Sequence, residues 1–154
     1  MKRILPIGLV AGLVILFSSC AKQVDIVVQT SNDPLPGNWY ISDATVFDGH
    51  TWAQFDYGLY GTFSFYNNGA AQYDDGGSLL QGSWSTYDSF DPYYDYNGHY
   101  RTDRHQSFSF NADDPAGHSV HLGFDDIVFT GSNQFMATYD DGSQLQVYTF
   151  SRGH

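Results

Sequence analysis

Between Gly61 and Ser85, apolar and polar residues alternate with a period of two, which is typical of half-buried β-strands. The alternation is interrupted at Asn67–Gly69 and again at Asp74–Gly77, and Asn-Gly and Asp-Gly pairs favour tight hairpin turns. The apolar positions that this pattern places on the core face are Phe63, Phe65, Ala71, Tyr73, Leu80 and Trp84. The segment therefore predicts a three-stranded meander, which needs further sheet around it to be stable.

The rest of the chain after residue 20 supplies that sheet. Further alternating runs lie at 39–46, 108–110, 120–124, 127–129, 135–139 and 145–150. No sustained helical stripe is present, and the many Asp and Gly residues favour turns over helices. We therefore predict an all-β fold, an up-and-down antiparallel β-barrel of eight or nine short strands, because closure hides the strand edges. Asp125-Asp126 either turns the chain or kinks it.

Two long connections, 47–60 and 87–104, carry aromatic residues outside the predicted strands. Trp52, Phe55, Tyr57 and Tyr60 are candidate ligand-binding residues, although loops that fold down and plug the barrel ends would also explain them. In a meander, alternate connections share one end, so the two aromatic connections are expected at opposite ends.

The N-terminal segment 1–20 has the pattern of a signal peptide. Lys2 and Arg3 precede an apolar run, and Phe17-Ser18-Ser19-Cys20 resembles the lipobox of bacterial lipoproteins. The resemblance implies a lipid attached to Cys20, residence in the bacterial cell envelope and, because Ala21 follows, the outer membrane. The alternative is an ordinary secretory peptide with an incidental Cys. Residues 21–36 then form a tether, and 37–154 form the domain.

Charge and side-chain chemistry exclude several functions. All seventeen acidic residues are Asp, only six residues are Lys or Arg, and the formal net charge is −11. Such a surface repels nucleic acid, so a nucleic-acid partner is not expected. No catalytic motif is present, so we predict neither an enzyme nor a cofactor. His118 and His121 point to opposite faces of a strand, so no metal site is predicted, while a weak calcium site between Asp91 and Asp103 remains open.

Two motifs resemble lipocalins. Gly37-x-Trp39 on the first strand is similar to the Gly-x-Trp signature of that family. The meander and the closing run Tyr148-Thr149-Phe150-Ser151-Arg152 resemble the lipocalin-like domains of bacterial lipoproteins, over residues 37–152. The resemblance implies an up-and-down barrel in which Arg152 packs across Trp39 and closes one end through a cation–π contact. Because the mouth of a lipocalin lies on the side of its first loop, the resemblance also implies that any pocket opens beneath 47–60, flanked by 74–77, 111–117 and 131–133.

Two functions follow from these observations. The first is a lipid-anchored, lipocalin-like binding module of the envelope that holds a small apolar or aromatic ligand. The second is a protein-interaction module of the envelope with a filled barrel, either an accessory subunit or an inhibitor of a secreted enzyme. An open cavity would favour the first function, and a filled barrel with exposed loop aromatics would favour the second.

Overall fold

A computed structural model describes residues 34–153, all of whose regular structure is β-strand. None of these residues lies in a helix that is long and apolar enough to cross a membrane. The strands are β1 (Gly37–Phe47), β2 (Trp52–Gln54), β3 (Thr62–Phe65), β4 (Ala70–Asp74), β5 (Leu79–Ser89), β6 (Tyr93–Tyr94), β7 (Tyr100–Arg101), β8 (His105–Asp113), β9 (Ser119–Phe124), β10 (Asp126–Gly131), β11 (Gln134–Asp140) and β12 (Leu145–Arg152). The predicted all-β fold is confirmed.

Ten of the strands form one antiparallel sheet with the order β10-β11-β12-β1-β3-β4-β5-β8-β9, and β2 pairs with β1 beside this path. The nine strands of this path are those predicted from the alternation. Neighbours in the sheet are mostly neighbours in sequence, as a meander requires, and β1 joins the first part of the domain to the last by pairing with β12. The remaining strands, β6 and β7, form a separate hairpin within the second aromatic connection.

The two edge strands of the sheet, β10 and β9, are consecutive in the chain. Strands β9 and β10 are separated only by Asp125, and the backbone N–H of Asp125 donates to the Thr138 carbonyl of β11 at 2.8 Å. Asp125 therefore kinks the chain and does not reverse it. Strand β9 pairs with β8 and β10 pairs with β11, but no ladder joins β9 to β11. Within residues 34–153 the backbone ladders therefore do not close into a ring.

The interior is filled by aromatic rings from strands far apart in the sheet. The ring centroids of Phe63 and Phe110 lie 5.2 Å apart, and those of Phe63 and Phe150 lie 5.7 Å apart. Phe135 stacks on Phe150 at 4.5 Å, and each of these four rings is fully buried. Since β3, β8, β11 and β12 all contribute to this cluster, the sheet curls until its inner faces meet.

The end of the predicted tether belongs to the domain. Leu35 is fully buried in the main core, and its carbonyl accepts a 2.7 Å hydrogen bond from Nε1 of Trp39. The last residues of the predicted tether, 34–36, therefore pack against the domain. Burial of Leu35 and the hydrogen bond to the indole explain why this short stretch packs against the sheet. Residues 21–33, the predicted signal peptide and Cys20 lie outside the described residues.

Candidate functional site

Trp39 and Arg152 meet at one end of the sheet, as predicted. The guanidinium carbon of Arg152 lies 4.4 Å from the centre of the Trp39 ring. The same guanidinium donates hydrogen bonds to the carbonyls of Pro36, at 3.0 Å, and Pro34, at 2.8 Å. Gly37 leaves the space that this requires, because a Cβ there would lie 2.2 Å from a guanidinium nitrogen of Arg152. This arrangement covers the end of the core, which we call the Trp39 end.

The turn after β10 also lies at the Trp39 end. The backbone N–H of Arg152 donates to the Asn133 carbonyl at 2.9 Å, and its Nε donates to the Ser132 carbonyl at 3.3 Å. The expectation that 131–133 flanks a pocket beneath 47–60 is therefore wrong. Because Asp125 kinks the chain, β9 and β10 run in the same direction. Each turn after Asp125 therefore lies at the end of the sheet opposite to the end expected if the chain reversed there.

The four candidate ligand-binding aromatics do not form one cluster. Phe55 packs edge-on against Tyr148, with ring centroids 5.6 Å apart, and the Tyr57 hydroxyl donates to the Ile41 carbonyl at 3.0 Å. The Tyr60 ring lies 5.2 Å from that of Tyr57, but its side chain is largely exposed. Trp52 is elsewhere, stacked on Phe47 at 4.9 Å. Phe47 lies opposite Leu145, on the face of the sheet turned away from the core.

That outer face is covered by the 93–101 hairpin, which consists of β6, β7 and the turn between them. The Tyr94 carbonyl accepts a 3.1 Å hydrogen bond from Thr138 Oγ1, and a Cβ on Gly98 would contact both Phe47 and Trp52. Leu145 and Val147, on the same outer face, are almost completely buried. The tips of the two aromatic connections therefore meet, and the expectation that they lie at opposite ends is wrong.

Two side chains hold the 93–101 hairpin in shape. The Asp95 carboxylate accepts hydrogen bonds from the backbone N–H groups of Asn97 and His99, each at 3.0 Å, and from Nε of Arg101 at 2.9 Å. Burial raises the pKa of Asp95, but these donors outweigh it and the net pKa is lowered. Because Asp95 is committed to Arg101, it is not available to a cation between Asp91 and Asp103. No group of three metal-ligating side chains occurs within 34–153.

A buried carboxyl lies where this hairpin meets the sheet. Asp126 is 4% exposed, and burial raises its pKa to about 6 against a favourable interaction with His105. Tyr93 stacks on His105 with centroids 4.0 Å apart, and burial raises the pKa of Tyr93 to about 12. The alternation of apolar residues did not predict that Asp126 is buried beside His105 and Tyr93, because paired Asp residues are typical of exposed turns.

An open cleft of about 350 Å³ lies between β9 and the adjoining ends of β11 and β12. Its walls include Leu122 and Phe124 on one side and Tyr139, Gln146 and Tyr148 on the other. A second concavity of about 300 Å³ lies beneath Gly58 and Leu59, beside the turns at 75–78 and 118–119. The second concavity matches the predicted position beneath 47–60, but the aromatic core fills the interior below it.

The two histidines considered as metal ligands have other partners. His118 Nδ1 lies 2.7 Å from Asp114, and hydrogen bonding to that carboxylate raises the pKa of His118. His121 Nδ1 lies 2.9 Å from the side-chain oxygen of Asn111.

Comparison with protein-family models, with curated proteins and with solved structures gave no match for this chain.

Proposed function

We propose that this chain is a lipid-anchored protein of the bacterial envelope whose lipocalin-like barrel serves as a protein-interaction module. The observation that carries this proposal is the filled interior. Lipocalin-type ligand binding needs a central cavity, and here mutually contacting phenylalanine rings occupy the centre of the sheet. Of the two functions expected from the sequence, a filled core favours the interaction module.

The lipocalin-like part of the proposal rests on the order of the strands. If β9 and β10 are counted as one strand kinked at Asp125, the meander contains eight strands, and this strand adjoins both β8 and β11. An eight-stranded barrel is just wide enough to be filled by its own side chains. The contact of Arg152 with Trp39 then closes one end of the barrel.

The surface of the domain supports a protein partner. Large aromatic side chains are exposed outside the core, among them Tyr60, Tyr87, Phe90 and Tyr100, and Phe90 is 72% exposed. Aromatic residues are enriched at protein interfaces, where they bury a large area at little cost in conformational entropy. The strongly acidic composition favours a partner with a basic surface, since opposite charges accelerate encounter.

The test is photo-crosslinking in the native envelope. A photoreactive amino acid at Phe90, Tyr100 or His121 is expected to yield a discrete adduct with one protein, whereas the same amino acid at exposed Gln81 serves as the control position. Adducts at none of the three positions, or the same diffuse adducts at all four, would contradict the interaction module.

A second candidate function is the binding of a small aromatic ligand in the cleft beside β9. This candidate is favoured by the lining of the cleft, where the rings of Phe124, Tyr139 and Tyr148 surround a space of about 350 Å³. Native mass spectrometry of the protein purified from its own host distinguishes the two functions. A retained small molecule that is lost on Tyr148→Ala would favour ligand binding over the interaction module.

A further inference from the structure

Among the described residues, no strand pairs with the edge of β9 that faces away from β8. The turn into β9 is closed by a 3.0 Å hydrogen bond from the Asp114 N–H to the His118 carbonyl. Hydrogen-bonded and non-hydrogen-bonded pairs alternate along an antiparallel ladder, so the backbone groups of residues 120, 122 and 124 face β8. The N–H and C=O groups of Ser119, His121 and Gly123 therefore face away from β8.

The chain beyond β9 agrees with this assignment. Asp125 is the next residue of the same parity, and its N–H donates away from β8, to the Thr138 carbonyl of β11. The Asp125 carboxylate then accepts the N–H of Asp140 at 2.8 Å, which ends the β11 ladder. Within the described chain no ladder pairs with β9 on this side. Within residues 34–153, Ser119, His121 and Gly123 thus have no backbone partner on this side, and His121 and Gly123 line the cleft.

We propose that an extended, cationic segment of a partner protein adds to this edge as a further strand, lying in the cleft between β9 and β11–β12. This inference rests on the proposed interaction module and names the site and chemistry of its partner. Backbone hydrogen bonds to Ser119, His121 and Gly123 provide the affinity, as in other cases of strand addition. Alternate side chains of the segment enter the cleft beside Leu122 and Tyr148.

The charge of the surroundings selects a basic segment. The turns at the two walls of the cleft carry Asp113 on one side, next to Asp114, which is paired with His118, and Asp140 and Asp141 on the other. The three arginines of the described chain have partners elsewhere: Arg101 binds Asp95, Arg104 binds Asp88, and Arg152 binds carbonyls at the Trp39 end. A second copy of this acidic chain is therefore a poor occupant, because like charges would face each other.

The probe for the test is a fluorescent peptide of about eight residues that alternates Lys with Val, a length that covers one typical strand. The matched control peptide alternates Asp with Val and has the same apolar pattern. The full-length chain, purified in detergent, is expected to bind the Lys peptide at least about tenfold more tightly than the Asp peptide, with an affinity that falls as salt is added. Equal affinities would overturn the charge argument.

The second measurement locates the bound peptide. Amide hydrogen exchange at single-residue resolution is expected to show fast exchange at Ser119, His121 and Gly123 in the free protein and slow exchange at all three in the complex. Protection already present without peptide would mean that another part of the chain covers this edge, and this result would overturn the proposal. Binding with protection only at other residues would overturn the site but leave the interaction module standing.

A pair of variants removes a single backbone donor. His121→Pro deletes an N–H that faces the cleft, at an edge position where proline is tolerated. His121→Ala, the matched control, loses the imidazole but keeps the N–H. The Pro variant is expected to bind the Lys peptide about tenfold more weakly than the Ala variant. If the Pro variant does not fold, Tyr139→Lys tests the opposite wall by adding a positive charge, and unchanged affinity there would overturn the proposal.

These outcomes separate the inference from the proposed function. Crosslinks in the envelope from Phe90 or Tyr100, together with no peptide binding at β9, would reject the β9 site alone. The absence of crosslinks at every position, together with no peptide binding, would reject both. Only crosslinks at His121 together with amide protection along β9 support the full proposal.

Discussion

The guanidinium of Arg152 lies over the ring of Trp39, and the two residues are direct partners in the ladder between β12 and β1. The first and last strands of the domain are therefore joined by the ladder and by a cation–π interaction. Hydrogen bonds from Arg152 to Pro34 and Pro36 also hold the residues before β1. Trp39 is fully buried, so the cationic group replaces water at this end of the core.

Arg152→Ala is expected to lower the free energy of unfolding by about 2 kcal/mol, because it removes a cation–π contact together with charged hydrogen bonds. Chemical denaturation followed by tryptophan fluorescence measures this loss. Arg104→Ala is the matched control, since Arg104 and Asp88 form an exposed ion pair, and such pairs contribute little to stability. Equal effects of the two substitutions would contradict the role assigned to Arg152.

The raised pKa of Asp126 predicts a fall in stability with rising pH. The unfolded carboxyl titrates near 3.8 and the folded one near 6, so the folded state binds the proton more tightly. The free energy of unfolding should therefore decrease between these two values and level off above them. Asp126→Asn should abolish this decrease and, near neutral pH, stabilise the domain by up to about 3 kcal/mol. A wild-type stability that rises over this interval would contradict the assignment.

The contribution of Asp95 to stability has the opposite pH dependence to that of Asp126. Its pKa is lowered in the folded state, so its contribution is present above the unfolded value of 3.8 and is lost as the pH falls through the lower folded value. Asp95→Ala should release the 93–101 hairpin, expose Leu145 and Val147, and increase the exposure of Trp52, which is already 41% exposed. A red shift of tryptophan emission and binding of an apolar dye are the expected signals. Asp113→Ala, at an exposed position, should show neither signal.

Lipidation of Cys20 is tested by metabolic labelling with a clickable fatty acid. The wild-type chain should be labelled and Cys20→Ser should not, because Cys20 is the only cysteine and ends the predicted lipobox. More than one acyl chain would make the attachment stable, whereas a single chain gives marginal binding. Equal labelling of the two proteins would exclude an anchor at this residue.

The alternation of apolar residues was sufficient to locate the nine strands of the sheet path, since Asp-Gly and Asn-Gly turns separate most of them. The contact of Trp39 with Arg152 was expected from the resemblance of Gly37-x-Trp39 and the closing run to lipocalins, and not from the alternation. The alternation was ambiguous in β12, where Leu145 and Val147 alternate with Tyr148 and Phe150 and both faces are apolar. Phe150 lies in the core, whereas Leu145 and Val147 need a cover on the other side.

That cover explains why the two aromatic connections meet although they leave the sheet at opposite ends. Strand parity correctly describes where a connection leaves the sheet, but it does not limit how far a long connection travels afterwards. The 93–101 hairpin crosses the outer face because it buries Leu145 and Val147 there. The kink at Asp125 explains why 131–133 lies at the Trp39 end. A pair of Asp residues is compatible with either a turn or a bend, and these two alternatives place 131–133 at opposite ends of the sheet.

The pairing of β1 with β12 has a consequence for how the chain is made. Trp39 emerges from the ribosome early, yet the strand that covers it contains the last residues of the domain. A nascent chain that lacks this strand leaves the indole and the rings around Phe150 without their partners, and such distant contacts form slowly. We therefore expect the domain to become resistant to proteases only after β12 has been synthesised, so that an interrupted product is degraded before it accumulates.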